Sequence, residues 1–283
     1  MAKKSDLIPR VITAVIALPA LIALITFAPH WAFFLLVLVA GAIAIWEFCG
    51  ITFADEHPAG RWVTVGLGMV TMTLLYLDPF VEPPLVLPTL AGAIIALFAY
   101  FLFDYRDQPR VTHFIGSSVT GLFYGAVLFG FIAFSGRDFG DAGPMWIIMT
   151  LALVWASDTG AYFSGRFLGK RKLYESVSPN KSVEGAIGGL LSTIAFAFLF
   201  DAIFAHWGGD AWPSLSIGHL LLLAIPANIL GQIGDLIESL FKRAHDVKDS
   251  GTIIYGHGGI LDRIDALILA SPWVYVFATY FVS

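Results

Sequence analysis

Residues 239–265 read SLFKRAHDVKDSGTIIYGHGGILDRID and lie between two long apolar stretches. Four acids, two histidines and four basic residues stand here beside a Gly-His-Gly-Gly turn, in a chain that is 58% hydrophobic and only 13% charged. The contrast with its flanks decides the fold. Crossing a hydrocarbon core of about 30 Å at about 1.5 Å per residue takes about 20 residues. Nine apolar windows qualify, near residues 11–28, 31–50, 62–78, 85–103, 114–134, 145–165, 184–207, 215–238 and 260–282. With a mean hydropathy of +0.80 and 14% aromatic residues, the 283-residue chain is expected to be an all-α polytopic membrane protein of about nine transmembrane helices.

The third window is short and Pro88 interrupts the fourth. The opening MAKKSDLIPR is followed by a long apolar run with Pro19 and no small-x-small cleavage site, so it reads as a retained first helix. Cys49 is the only cysteine, which excludes an intramolecular disulfide. For topology the placement of Lys and Arg counts, and the net charge of −5 does not. With the N-terminus inside and the C-terminus outside, fifteen of the sixteen basic residues fall on the inner side, leaving Arg137 outside.

The outer connections near 78–84, 135–144 and 208–214 are short and rich in Gly, Pro and Asp, as tight turns require. Two inner connections, 166–183 and 239–259, are long, basic and polar, and long connections in a compact domain usually carry function. The chain therefore divides into scaffold helices over 1–140 and catalytic helices over 141–283. Small-xxx-small pairs, Gly121/Gly125 and Gly185/Gly189, permit close helix packing. The unrelieved apolar faces near the N-terminus are compatible with a homodimer.

An ionisable group within a span costs at least about 2.5 kcal/mol and marks a functional site by default. Asp158 in WASDTGAYFSGR is one, although bonding to the Ser157 or Thr159 hydroxyl in a polar seam would also account for it. In NILGQIGDLIES, Asp235 and Glu238 are three apart and share a helix face. In LDRID, Asp262 and Asp265 repeat that spacing at the start of the last span, where the helix dipole alone also favours acids. The eighth span ends and the ninth begins on one side, so Asp235, Asp262 and Asp265 can converge. Three such carboxylates need a cation, and an all-oxygen donor set selects Mg²⁺ over zinc.

Lys242, Arg243 and Lys248 then read as an anion clamp, and the turn Tyr255-Gly256-His257-Gly258-Gly259 as a nest of N–H groups at a helix mouth. Ordinary positive-inside bias explains any one of these basic residues equally well. His245 and His257 are phosphate donors or plain hydrogen-bonding loop residues. SPNKSVEG at 178–185 looks like a helix entry at Ser182 with Lys181 aimed at its mouth. GRFLGKRK is no Walker A loop: Gly165 to Gly169 is one residue too short and Lys170 precedes Arg171.

The run Ser239-x-x-Lys242-Arg243, Lys248-Asp249, His257-Gly258-Gly259 and Asp262-Arg263-x-Asp265 resembles the signature of the phosphatidate cytidylyltransferases, or CDP-diacylglycerol synthases. Ser157-Asp158-Thr159-Gly160-Ala161-Tyr162, Ser178-Pro179-x-Lys181-Ser182-x-Glu184-Gly185 and Gly234-Asp235 are similar to it as well, so the specific likeness covers about residues 150–283. Asn180 and Ser182 depart from an SPxKT-like stretch, with the hydroxyl kept.

The resemblance implies a Mg²⁺-dependent reaction of CTP with phosphatidate to give CDP-diacylglycerol and pyrophosphate, in phospholipid biosynthesis at the bacterial inner membrane, with the site facing the cytoplasm. It implies that Asp235, Asp262 and Asp265 hold one or two ions, a second of them compatible with a monovalent cation. Lys242, Arg243, Lys248 and Arg263 would bind the triphosphate or the lipid phosphate, with Lys181, Ser182, His257, Gly258, Gly259 and Asp158 lining the substrate site. The expected partners are CTP, phosphatidate and membrane lipid, and no nucleic acid. Two other readings stay open: a CTP-dependent polyprenol or dolichol-type kinase, and a cation-coupled secondary transporter.

Overall fold

The computed structural model describes residues 7–53, 56–105, 109–251 and 258–282, with side chains from Ile16 onward. Its described residues form nine helical rods. They are α1 (Leu7–Phe27), α2 (His30–Phe53), α3 (Pro58–Leu77), α4 (Val86–Phe103), a rod built of α5 (Val111–Leu122) and α6 (Phe129–Asp138), α7 (Gly143–Leu168), α8 (Val183–Trp207), α9 (Ile217–Ala244) and α10 (Leu261–Tyr280). Each coincides with one of the nine apolar windows. Seven rods are long and apolar enough to span a membrane on their own, α2 through α9 with α5 and α6 counted as one. The described apolar part of α1, Ile16–Phe27, is shorter, and α10 carries Asp262, Arg263 and Asp265 near its start.

Local chemistry corrects several boundaries. Pro88 does not interrupt α4, because it falls in the first turn, where a missing N–H breaks no intrahelical bond. The third rod is longer than its window: Pro58 opens it and the His57 ring caps it, accepting from the Gly60 N–H at 3.0 Å. The ninth element runs on through Lys242 and Arg243 to Ala244, so these residues stand on a helical last turn, where cations complement the dipole. Likewise α7 continues to Leu168, and the following segment folds into an antiparallel hairpin that sequence reading did not anticipate, β1 (Lys172–Tyr174) with β2 (Ser178–Ser182). Lys172 pairs with Ser182 and Tyr174 with Ser178.

Small residues set how close the helices come. A Cβ on Gly121 would stand 2.9 Å from Phe48 Cδ1, and one on Gly125 would stand 2.6 Å from Ile45 Cγ1, so this pair seats α5 and the π-helical segment Phe123–Leu128 against α2. Gly185 and Gly189 play the same part for α8 against α7, where a Cβ would lie 3.0 Å from the Ala161 carbonyl and 2.9 Å from that of Ser157. The larger core joins α1 to α7 with the first half of α10, and a second core joins α7, α8, α9 and the second half of α10. The last helix is thus packed into both halves of the chain.

Candidate active site

The C-terminal end of α7, the hairpin, the first turn of α8 and the C-terminal half of α9 line an open cavity of about 600 Å³. Ser182 starts α8 as predicted: its Oγ accepts from the Gly185 N–H at 3.1 Å and caps the helix. Glu184 faces back and accepts from the N–H groups of Lys170, at 3.0 Å, and Arg171, at 3.2 Å, which fixes the hairpin to the helix. The hairpin in turn presents Lys181, whose Nζ lies 2.5 Å from Asp235 Oδ2 on α9. Asp158 of α7 lines the same cavity, and it and Asp265 of α10 are close enough for their charges to interact with Asp235 and Lys181.

Behind the cavity is a ladder of neutral polar groups. Asn228 Nδ2 donates to Ser157 Oγ at 2.7 Å and to Thr193 Oγ1 at 3.0 Å, while its Oδ1 accepts from Gln232 Nε2 at 2.7 Å. Gln232 also donates to the Ala186 carbonyl at 3.1 Å. These bonds tie α7, α8 and α9 together at membrane depth, where an unmade bond would be costly. Ser157 accepts from Asn228 in this ladder, and Asp158 beside it lines the cavity.

The structure divides the three acids expected to converge. Gly234 brings α9 against α10 so closely that a Cβ there would collide with the Asp265 carbonyl, and in this antiparallel register Asp235 faces Asp265 while Glu238 faces Asp262. Asp262 Oδ1 is 2.6 Å from Lys242 Nζ, and Glu238 Oε2 is 2.5 Å from the same ammonium. Asp262 Oδ2 accepts from the N–H groups of Gly259, at 2.9 Å, and Ser250, at 3.2 Å. Gly258 has φ +83°, a left-handed conformation that suits glycine, and a Cβ on it would lie 2.8 Å from Asp262 Oδ2. The glycine turn thus wraps a carboxylate of its own chain, and among the described residues no three His, Cys, Asp or Glu side chains form a metal-binding group.

The basic residues also separate. Lys242 is a counterion between two carboxylates and does not point outward as one arm of a clamp, because Glu238 is buried and needs a cation beside it. Arg243 Nε donates to the Val177 carbonyl at 3.4 Å, so it steadies the hairpin from α9. Lys248 and Arg263 are exposed. His257 lies outside the described residues, and the His245 Nδ1 is engaged with the Phe241 carbonyl at 3.0 Å.

Sequence reasoning missed Glu47. It lies in α2, is 2% exposed, and accepts from the N–H groups of Ile260, at 3.1 Å, and Leu261, at 2.8 Å. The signal was present, since a lone acid in an apolar window obeys the same rule that singled out Asp158. Ser250, Asn228 and Gln232 gave no such signal, being neutral.

The model of the "Cytidylyltransferase family" matches residues 8–281. A phosphatidate cytidylyltransferase of Bacillus subtilis (strain 168) is 41% identical over 145 residues, 51% of each chain. One of Haemophilus influenzae is 46% identical over 132 residues, 46% of this chain and 44% of that protein. The chain thus spans about half the length of these relatives in the matched region. One of Brucella suis biovar 1 is 34% identical over 282 residues, 99% of this chain and 96% of that protein. A match that runs from the first described helix to the last takes in the scaffold as well as the cavity, and on that ground the chain belongs to the cytidylyltransferase family.

Proposed function

We propose that the chain is a phosphatidate cytidylyltransferase of the inner membrane, making CDP-diacylglycerol and pyrophosphate from CTP and phosphatidate. The observation that carries the reading is the cavity itself: Lys181, Asp158 and Asp235 line it between α7, the hairpin, α8 and α9, with the charge of Asp265 on α10 close behind. The relative from Brucella suis, which shares the whole length, bears the corresponding name. Fifteen of the sixteen Lys and Arg residues fall on that side in the nine-span topology, which supports a cytoplasmic face where CTP is available.

The lipid phosphate is anionic at neutral pH and is itself the nucleophile. One of its oxygens bonds to the α-phosphorus of CTP, the bond from that phosphorus to the bridging oxygen breaks, and pyrophosphate leaves with the electron pair. No proton need be abstracted, so the site has to position two anions and neutralise charge. Lys181 supplies a cation from the hairpin strand β2, and the ladder through Asn228 and Gln232 links α7, α8 and α9 around it. Ser182 leaves its hydroxyl in the wall of the cavity while capping α8.

Asp235 and Asp265 form an all-oxygen pair facing each other across α9 and α10, within reach of the charges of Asp158 and Lys181. That set fits Mg²⁺, which takes one or two carboxylates and completes its shell with water and substrate phosphates. Asp235 and Asp265 would hold it, and bound there it supplies neutralisation of the triphosphate. Asp262, wrapped by Lys242 and the Gly259 and Ser250 N–H groups, serves by holding α10 in register.

The test is product formation by purified protein in detergent with CTP, phosphatidate and Mg²⁺, beside reactions lacking lipid or metal or offering a polyprenol. Pyrophosphate and CDP-diacylglycerol that need both lipid and metal are expected. CDP formed with the polyprenol would replace the reading with a lipid kinase, and inertness to CTP would replace it with a transporter.

A further inference from the structure

Glu47 takes no part in the chemistry above, yet it is a buried acid at the junction of three segments. Its described partners are neutral donors: the Ile260 and Leu261 N–H groups and the Ser250 hydroxyl, at 3.1 Å, 2.8 Å and 3.1 Å. The first N–H groups of a helix have no intrahelical acceptor, and α10 receives no side-chain cap from Ile260 at its own N-cap position. A carboxylate from α2, more than two hundred residues away in sequence, fills that place, where the helix dipole favours an anion. The glycines around it are fitted to it: a Cβ on Gly251 or on Gly259 would collide with the Glu47 carboxylate. Ser250 Oγ stands 3.1 Å from Glu47 Oε2 and 3.0 Å from Asp262 Oδ2, so a single hydroxyl separates the glutamate from the acid that pairs with Lys242.

We infer that Glu47 is a positioning residue of the reaction: from the scaffold half it pins the start of α10 and the residues at 250–251 and 259–261, and thereby sets where Asp265 stands opposite Asp235. The catalytic consequence rests on the proposed function, whereas the pinning does not. A buried glutamate kept only for packing would be replaced by glutamine with little local effect. One that holds two N–H groups by its charge would not.

The experiment uses the full-length protein in detergent, wild type beside Glu47→Gln, Ser250→Ala and the control Glu56→Gln, whose carboxylate pairs with Arg110 at the surface. Hydrogen–deuterium exchange of the peptides covering 258–268 is read together with steady-state kinetics. For Glu47→Gln, exchange at 258–268 should rise while peptides of α7 and α8 stay unchanged. Its kcat should fall by on the order of tenfold to a hundredfold, with KM for phosphatidate within about twofold of wild type. Ser250→Ala should move both readouts the same way to a smaller extent, and Glu56→Gln should match wild type.

Unchanged exchange, exchange that rises throughout the protein, or full kcat despite local loosening would each overturn the inference. If Glu47→Gln fails to fold, Ser250→Ala decides by the same two readouts. A wild type that does not turn over, together with faster exchange at 258–268 in the variant, would remove the proposed function and leave the pinning standing.

Discussion

Asp265 accepts the Ala266 N–H at 2.8 Å with one carboxylate oxygen and interacts across the helix pair with the charge of Asp235. Asparagine there keeps the volume and removes the charge, so Asp265→Asn should lower kcat by on the order of a hundredfold or more, as losing a transition-state electrostatic contact does. Elution and melting temperature should stay as in wild type, and a fully active variant would take Asp265 out of the site. Lys242 has a different kind of importance. Its ammonium bridges Glu238, 1% exposed, and Asp262, and removing it strands two carboxylates together in the protein interior. Lys242→Met should cost about 3–5 kcal/mol, the penalty for breaking a buried pair, seen as a lower melting temperature in detergent. Adding Glu238→Gln should recover part of that loss, whereas no recovery would mean that the two groups are not energetically linked.

At the scale of elements, the crossing of α7 on α8 is built from glycine and serine. A Cβ on Gly160 would stand 2.7 Å from the Gly188 carbonyl and 2.6 Å from Ser192 Cβ, so no side-chain rotation relieves it. Gly160→Val should force the helices apart and cost about 1–3 kcal/mol, lowering the melting temperature and activity together because Asp158 and Ser182 both lie within two turns of the contact. Gly66 on α3 is the matched control, since nothing lies within 4 Å of a Cβ there. Gly66→Ala should leave activity intact and stabilise slightly, as replacing a helical glycine does.

For the molecule as a whole, helix alternation puts the hairpin and the turn at 208–212 on opposite sides of the bundle. Both carry exposed acids, Glu175 and Asp210, and the native Cys49 is buried. In intact cells an impermeant maleimide should label Asp210→Cys without lysis and Glu175→Cys only after it. The reverse pattern would put the cavity on the outer face and remove the access to CTP that the proposed function needs.

Apolar length along the chain was enough to read the nine rods, because hydrocarbon thickness is a constraint in one dimension, and seven of the rods meet it with their own residues. Asp158, Asp235, Asp265 and Lys181 were legible for a related reason: a charge inside or beside an apolar run is conspicuous whatever surrounds it in space. Adjacency along the chain misled for Asp262. Helical neighbours three apart share a face, yet they meet different partners once a second helix is laid against them, and Gly234 sets α9 and α10 at the register where Asp235 faces Asp265 and Glu238 faces Asp262. Glu47 was conspicuous too, but its role was hidden, since its hydrogen-bond donors lie 203 and more residues downstream. Which carboxylate holds a helix and which is free for chemistry depends on distances between helices, and those arise from close packing of glycines that composition alone does not reveal.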